Sequence, residues 1–243
     1  IDSITSDTGV ISDFITSDQT LVFAGSASAS GSVALTLTSG AQVFSTTVTA
    51  NSSGVWTYDY TGSTLAAGSY TLQAVSGATA TQTIVIDTAA PSGPVTVTTQ
   101  TTANTKPTIA GTATLASGES LTVSVNGVTY TSGDGNLTLT GSNWSLVIPA
   151  ANALTPATVA AGGFNGIYSV TATITDTAGN VLNDSTSSEL TIQDTTAPII
   201  DLAPVNGSSV NYSATSANGG AVSLDDNSSA VTVTEASDKL NSI

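Results

Sequence analysis

Asp87-Thr88-Ala89-Ala90-Pro91 returns 107 residues later as Asp194-Thr195-Thr196-Ala197-Pro198. Each copy closes a run of alternating residues, Thr83-Ile84-Val85-Ile86 and Glu189-Leu190-Thr191-Ile192. A strand that stops at Asp and turns through Ala-Pro reads as a joint, because proline fixes φ, lacks a donor N–H and belongs at a strand edge or start. Two joints at this spacing cut the chain into tandem β-sandwich modules over residues 1–88 and 89–195, with 196–243 as a partial third module or β-rich tail. The tail holds three short apolar runs, Ile199-Ile200, Val210 to Ala214 and Val231 to Thr234, too few for a sandwich.

Period-two alternation dominates the rest of the chain, as in Val33/Leu35/Leu37, Trp56/Tyr58/Tyr60 and Tyr70/Leu72/Ala74. Such runs, split by Gly, Ser and Asn, predict short antiparallel strands with one buried face. Residues 149–161 are the one helix-tolerant stretch, and Pro156 with its β-branched neighbours limits it to a loop with at most one turn. The fold class is all-β. The two modules overlay: Phe23-Ala24-Gly25-Ser26-Ala27 on Ile109-Ala110-Gly111-Thr112-Ala113, Ser53-Gly54-Val55-Trp56 on Gly141-Ser142-Asn143-Trp144, and Gly68-Ser69-Tyr70 on Gly166-Ile167-Tyr168. The matched glycines predict a bulge or a close approach, the matched tryptophans core plugs, and the tyrosines corner positions.

Seventeen acidic residues face two basic ones, Lys106 and Lys239, for a net charge of −15. That balance excludes a phosphate-backbone binder and direct contact with an anionic membrane. It also favours a soluble, self-repelling monomer. Without His or Cys the chain has no ligands for zinc, haem or iron–sulfur clusters, and no usual nucleophile–base pair. The carboxylates are not spaced as a glycosidase pair, so a non-enzymatic role is expected. Oxygen ligands remain, and these suit Ca²⁺. With 40% hydrophobic residues the chain has apolar area for two sandwich cores. The opening Ile1-Asp2-Ser3 carries no basic or apolar leader, so export signals are expected elsewhere in a longer protein.

Several phrases together resemble the bacterial Ig-like extender domains of giant RTX-type adhesins exported by type I secretion. They are Ser6-Asp7-Thr8-Gly9, Asp13-Phe14-Ile15-Thr16-Ser17-Asp18-Gln19-Thr20-Leu21, the Gly-x-Trp phrase, Thr175-Asp176-Thr177-Ala178-Gly179-Asn180 and the Asp-Thr-x-Ala-Pro joints. The resemblance covers residues 1 to about 198. It implies a cell-surface stalk of immunoglobulin-like sandwiches, rigidified by Ca²⁺ at the junctions, that projects a distal ligand-binding region for adhesion or biofilm formation. Its partners would be the neighbouring Ig-like domains of the same chain. The first module departs from the pattern, with Val75-Ser76-Gly77-Ala78 where the second carries Asp176 to Asn180. The second has Thr101 to Lys106 where the first carries Asp13 and Asp18.

Two cation sites are expected. One joins Asp87, Asp176 and the Asn180 carbonyl at the first joint. The other uses Asp2, Asp7, Asp13 and Asp18, with Asp13 and Asp18 wrapping an ion against the Ile15 or Thr16 carbonyl. Asp194 would repeat the role of Asp87. The competing reading is that these residues only close turns, which Asp and Asn favour anyway. Asp134-Gly135-Asn136 reads as a hairpin turn, and Asp225-Asp226-Asn227 as a turn that a completed third module could convert into a Ca²⁺ site. A rival function is a lectin-like or peptide-binding module, or an accessory domain of a secreted carbohydrate-active enzyme. It would use the loops Ser132 to Asn143 and Pro149 to Asn165 with Trp144 or Tyr168 exposed.

Overall fold

The structure, a computed structural model, describes residues 1–158 and 164–193, together with the short strands Tyr212–Ala214 and Val233–Glu235. The chain is tandem immunoglobulin-like β-sandwich, and contacts divide it into two units. The first is Ile1–Gly93 with Leu115–Leu121 and Thr173–Leu182. The second comprises the described residues of Pro94–Thr114 and Thr122–Ala172 and those from Asn183 to Gln193.

Eight strands build the first unit: β1 (Ser3–Thr5), β2 (Ile15–Thr16), β3 (Val22–Ser26), β4 (Ser32–Ser39), β5 (Ala41–Thr49), β6 (Val55–Asp59), β7 (Gly68–Ser76) and β8 (Ala78–Ile86). One sheet runs β1-β3-β6 and the other β2-β8-β7-β4-β5. Alternation does what it dictates. Val33, Leu35 and Leu37 of β4 and Tyr70, Leu72 and Ala74 of β7 point inward with Phe23, Trp56, Ile84 and Ile86 into one core. Burying each large apolar side chain contributes roughly 1.5–3 kcal/mol. β2 runs parallel to β8, with Ile15 opposite Val85 and Thr16 opposite Ile86.

The rest of the described chain repeats this plan with β9 (Val95–Val97), β10 (Gln100–Thr102), β11 (Thr108–Ala113), β12 (Ser120–Val125), β13 (Val128–Thr131), β14 (Leu137–Thr140), β15 (Asn143–Val147), β16 (Ala157–Thr158), β17 (Phe164–Tyr168), β18 (Val170–Thr175), β19 (Val181–Asn183) and β20 (Leu190–Gln193). Its sheets run β14-β15-β11-β9, β13-β12-β18-β19 and β10-β20-β17-β16. β10 lies parallel to β20, as β2 does to β8. The helix-tolerant stretch supplies one 3₁₀ turn, Ala150–Asn152.

The matched phrases share their register. Gly25 faces Trp56 across β3 and β6, and Gly111 faces Trp144 across β11 and β15. Both indoles are buried, 1% and 2% exposed. A Cβ on either glycine would fall 2.5 Å from the Cε2 atom of its tryptophan. The glycines therefore mark close approach rather than a bulge: the ring lies flat on backbone that carries no side chain. Tyr70 takes the corner position, its hydroxyl donating to the Ala66 carbonyl at 2.8 Å. Asp134 closes its turn by accepting the Asn136 and Leu137 N–H groups. That turn is not a hairpin, since β13 and β14 belong to different sheets. Among the described residues no helix is long and apolar enough to cross a membrane. Asp194 lies outside the described residues. So does the tail, except for two strands, β21 (Tyr212–Ala214) and β22 (Val233–Glu235), which pair in parallel.

Candidate functional site

Within the first unit, Asp7, Asp13 and Asp18 flank β2, while Asp176 and Asn180 lie in the turn 176–180 and Asp87 just beyond β8. Each Asp flanking β2 is drawn to backbone N–H groups, the short-range habit of this side chain. Asp7 Oδ2 accepts from Ser12 N–H at 2.7 Å and Phe14 N–H at 3.4 Å. Asp13 Oδ1 accepts from Ile15 N–H at 2.8 Å. Asp18 Oδ1 takes both the N–H and the hydroxyl of Thr20, and Oδ2 takes Ser6 N–H at 3.1 Å. Burial opposes ionisation of Asp18, but the hydrogen bonds from Thr20 and Ser6 outweigh it and hold its carboxyl below the usual carboxylate range. Asp2 sits apart, its side chain exposed and 3.8 Å from the Ile1 amino group.

Ile15 and Thr16 are strand rather than loop. The Thr16 carbonyl accepts Asp87 N–H at 2.9 Å, so it is turned to β8 instead of towards Asp13 and Asp18. The hub of the loop is a residue that acidic patterning passes over. Thr16 is fully buried; its hydroxyl donates to the Ser6 carbonyl at 2.7 Å and meets Thr8 N–H and Asp18 N–H. The only sequence signal is a Thr at an inward position of a two-residue strand.

The turn 176–180 is closed by its own side chains. Asp176 Oδ1 accepts Asn180 N–H at 2.8 Å, and Asp176 N–H donates to the Asn180 carbonyl at 3.1 Å. Asn180 Nδ2 donates both to the Asp87 carbonyl at 2.9 Å and to Asp176 Oδ2 at 3.0 Å. Asp87, Asp176 and Asn180 thus come together, with the amide nitrogen of Asn180 as the group they share. Asp87 spends its own Oδ1 on Ala89 N–H.

Residues 8–10 seat on this turn within the first unit. Val10 N–H donates to the Thr177 carbonyl at 3.0 Å, and the Thr8 hydroxyl donates to the Ala178 carbonyl at 2.5 Å. Ala178 is fully buried. Gly9 (φ +70) lies so close that a Cβ would fall 2.5 Å from Gly179 N and overlap the Thr177 carbonyl.

Whether these residues suit a cation turns on oxygens left without donors. Asp7 Oδ1 is buried with no hydrogen-bond partner. An orphaned carboxylate oxygen of this kind carries a desolvation cost that a bound cation would relieve. At Asp176 and Asp87 the oxygens near Asn180 already face N–H donors. Among the described residues no three carboxylates converge as a ready-made ligand set.

The lectin-like arrangement needs correction. Trp144 is buried, with Nε1 donating to the Thr96 carbonyl at 3.1 Å, so it offers no exposed stacking face. Tyr168 is half-buried, and burial raises its hydroxyl pKa.

Residues 2–97 match the family model of the bacterial Ig-like domain. No curated protein matches the chain. A solved structure from a 1.5-MDa bacterial ice-binding adhesin, described for host cell surface retention, is 26% identical over 77% of this chain, with a TM-score of 0.34. The chain spans 62% of that structure's length. A tetra-tandem repeat from the extending region of a large adhesion protein is 21% identical, covering 86% of this chain and 53% of that one, with a TM-score of 0.29. Murine CEACAM1b is 13% identical, covering 73% and 95%, with a TM-score of 0.34.

Proposed function

We propose that the chain is part of the extender stalk of a bacterial cell-surface adhesin of the RTX type, exported by type I secretion. It holds a distal ligand-binding region away from the cell for adhesion or biofilm formation. The observation that carries this reading is the register-level repeat: the Gly–Trp close approach and the parallel strand beside the last strand occur in both units. Folding by local repetition suits a stalk, because length can be added without redesigning the core. The match of residues 2–97 to the bacterial Ig-like family supports the same reading.

Calcium belongs to this proposal. Ca²⁺ binds 6–8 oxygens at about 2.3–2.6 Å and would supply positive charge among unpaired carboxylates. The residue with the best-supported claim is Asp7, through its orphaned Oδ1, with Asp13 and Asp18 in the same loop. Because residues 8–10 seat on the turn 176–180, ordering of the Asp7 loop by a cation would also order that contact. Isothermal titration of Ca²⁺ into the wild-type chain and Asp7→Asn tests the assignment. Binding should weaken at least tenfold in Asp7→Asn; equal affinity would remove Asp7 from the site.

A further inference from the structure

Strand edges are where a β-protein is exposed to another chain, because each edge presents unpaired N–H and C=O groups. Among the described residues every edge strand but one has five residues or fewer. The exception is β5, nine residues long, which pairs only with β4. On the opposite side of the same sheet β2, flanked by Asp13 and Asp18, covers β8 only at Val85 and Ile86, so the first seven residues of β8 form a second, shorter open stretch. β5 reads Ala-Gln-Val-Phe-Ser-Thr-Thr-Val-Thr and has neither charge nor proline.

The neutrality extends beyond β5. Between Asp18 and Asp87 the sole charged residue is Asp59, and no strand of the five-stranded sheet carries a charge. In a chain with net charge −15, this edge adds no charge of its own to oppose the approach of a second copy. The edge is also held in place from behind. Phe44 packs its ring 5.0 Å from Tyr58 of β6 and 4.9 Å from Tyr60 just past that strand, centroid to centroid. Val43, Ser45, Thr47 and Thr49 remain exposed on the outer face.

We propose that β5 is a homotypic interface, pairing antiparallel with β5 of a second copy about a two-fold axis to join two five-stranded sheets. An isologous edge of this kind is self-complementary, since each strand offers the other the same row of donors and acceptors. The sheet contributes no charge to oppose it, so the remaining opposition is the long-range repulsion of the acidic residues elsewhere, which salt screens. Association should therefore strengthen with ionic strength, the reverse of an ion-paired interface. The inference rests on the strand edge alone and does not depend on the calcium proposal.

Sedimentation velocity of the intact chain over a range of protein concentrations, at low and high NaCl, tests it against two variants. Thr47→Lys places a charge in the middle of the edge. Thr81→Lys places the same charge on exposed β8, in the stretch β2 leaves uncovered on the far side of the sheet, and so tests that side as the rival edge. The wild type and Thr81→Lys should form dimers that increase with salt, Thr47→Lys should remain monomeric, and all three should share one far-UV circular dichroism spectrum. Slowed amide exchange on β5 should accompany dimerisation. A chain that is monomeric under every condition overturns the proposal. So does a dimer that Thr47→Lys leaves intact, or one that both lysines abolish equally. Should Thr47→Lys fail to fold, unchanged β5 amide exchange in the wild-type dimer overturns it instead.

Discussion

Placing a methyl group on the two glycines beneath the tryptophans tests the packing at the centre of each unit. Neither Gly25 nor Gly111 has a positive φ, so alanine meets no backbone strain there. The change should by itself stabilise the protein by about 0.4–1 kcal/mol through the unfolded chain. Steric overlap opposes it. At Gly25 the three atoms nearest the new Cβ all belong to the Trp56 ring. Overpacking that a side chain can partly relieve costs about 1–3 kcal/mol. At Gly111 the Cβ also overlaps the Thr96 carbonyl, which accepts the Trp144 Nε1–H bond and lies on β9, paired to β11. Relieving that overlap means moving a strand and weakening a hydrogen bond worth about 1 kcal/mol. Gly111→Ala should therefore cost about 1–3.6 kcal/mol and Gly25→Ala about 0–2.6 kcal/mol net. Each kilocalorie corresponds to roughly 4–8 °C in a domain of this size. Each unit has one tryptophan, so urea unfolding followed by indole fluorescence reads Gly25→Ala in a Trp144→Phe background and Gly111→Ala in a Trp56→Phe background. The reasoning fails if Gly111→Ala costs no more than Gly25→Ala, or if both cost under about 0.5 kcal/mol.

Other outcomes follow from single contacts. Tyr70→Phe removes the corner hydrogen bond to Ala66 and should lose about 1 kcal/mol of stability to urea unfolding without changing the fold. Gly9→Ala should accelerate amide exchange at Val10 and Gly179 while leaving β7 and β8 protected, because its Cβ has no room against the turn 176–180. Asp18 has a lowered carboxyl pKa in the folded state, so the stability it adds is present above the unfolded value of about 3.9 and is lost as pH falls through the folded value. Asp18→Asn should remove that part of the acid dependence, seen as a shallower fall in melting temperature below about pH 4.

What could be read from sequence was whatever depends on period and on residue size. Alternation gave the strands, matched tryptophan positions in the two modules gave the buried plugs, and Tyr70 announced its corner. The site was legible only in location. Asp87, Asp176 and Asn180 do meet, because Asp-x-x-Gly-Asn closes a turn and the joint phrase begins on the strand beside it. Which atoms meet depends on side-chain rotation, and sequence spacing does not encode that Asn180 turns its nitrogen toward both partners. Thr16 escaped notice because a buried hydroxyl hub looks like any other strand threonine. Glu189 escaped for a similar reason. It reads as an outward residue of an alternating strand, yet it is buried, its Oε2 accepting Val170 N–H at 2.9 Å where β17 ends and β18 begins, while Oε1 has no partner. The alignment of Tyr168 with Tyr70 hides that break, which inserts Ser169 between strands of two different sheets.

The central claim, a stalk whose stiffness is set by calcium, is tested most directly by small-angle X-ray scattering of the wild-type chain and Asp7→Asn, each in calcium and in excess chelator. The account predicts that chelation broadens the wild-type pair-distance distribution and shortens its maximum dimension, while far-UV circular dichroism stays unchanged and Asp7→Asn gives the chelated profile in both conditions. Identical wild-type profiles with and without calcium would contradict it.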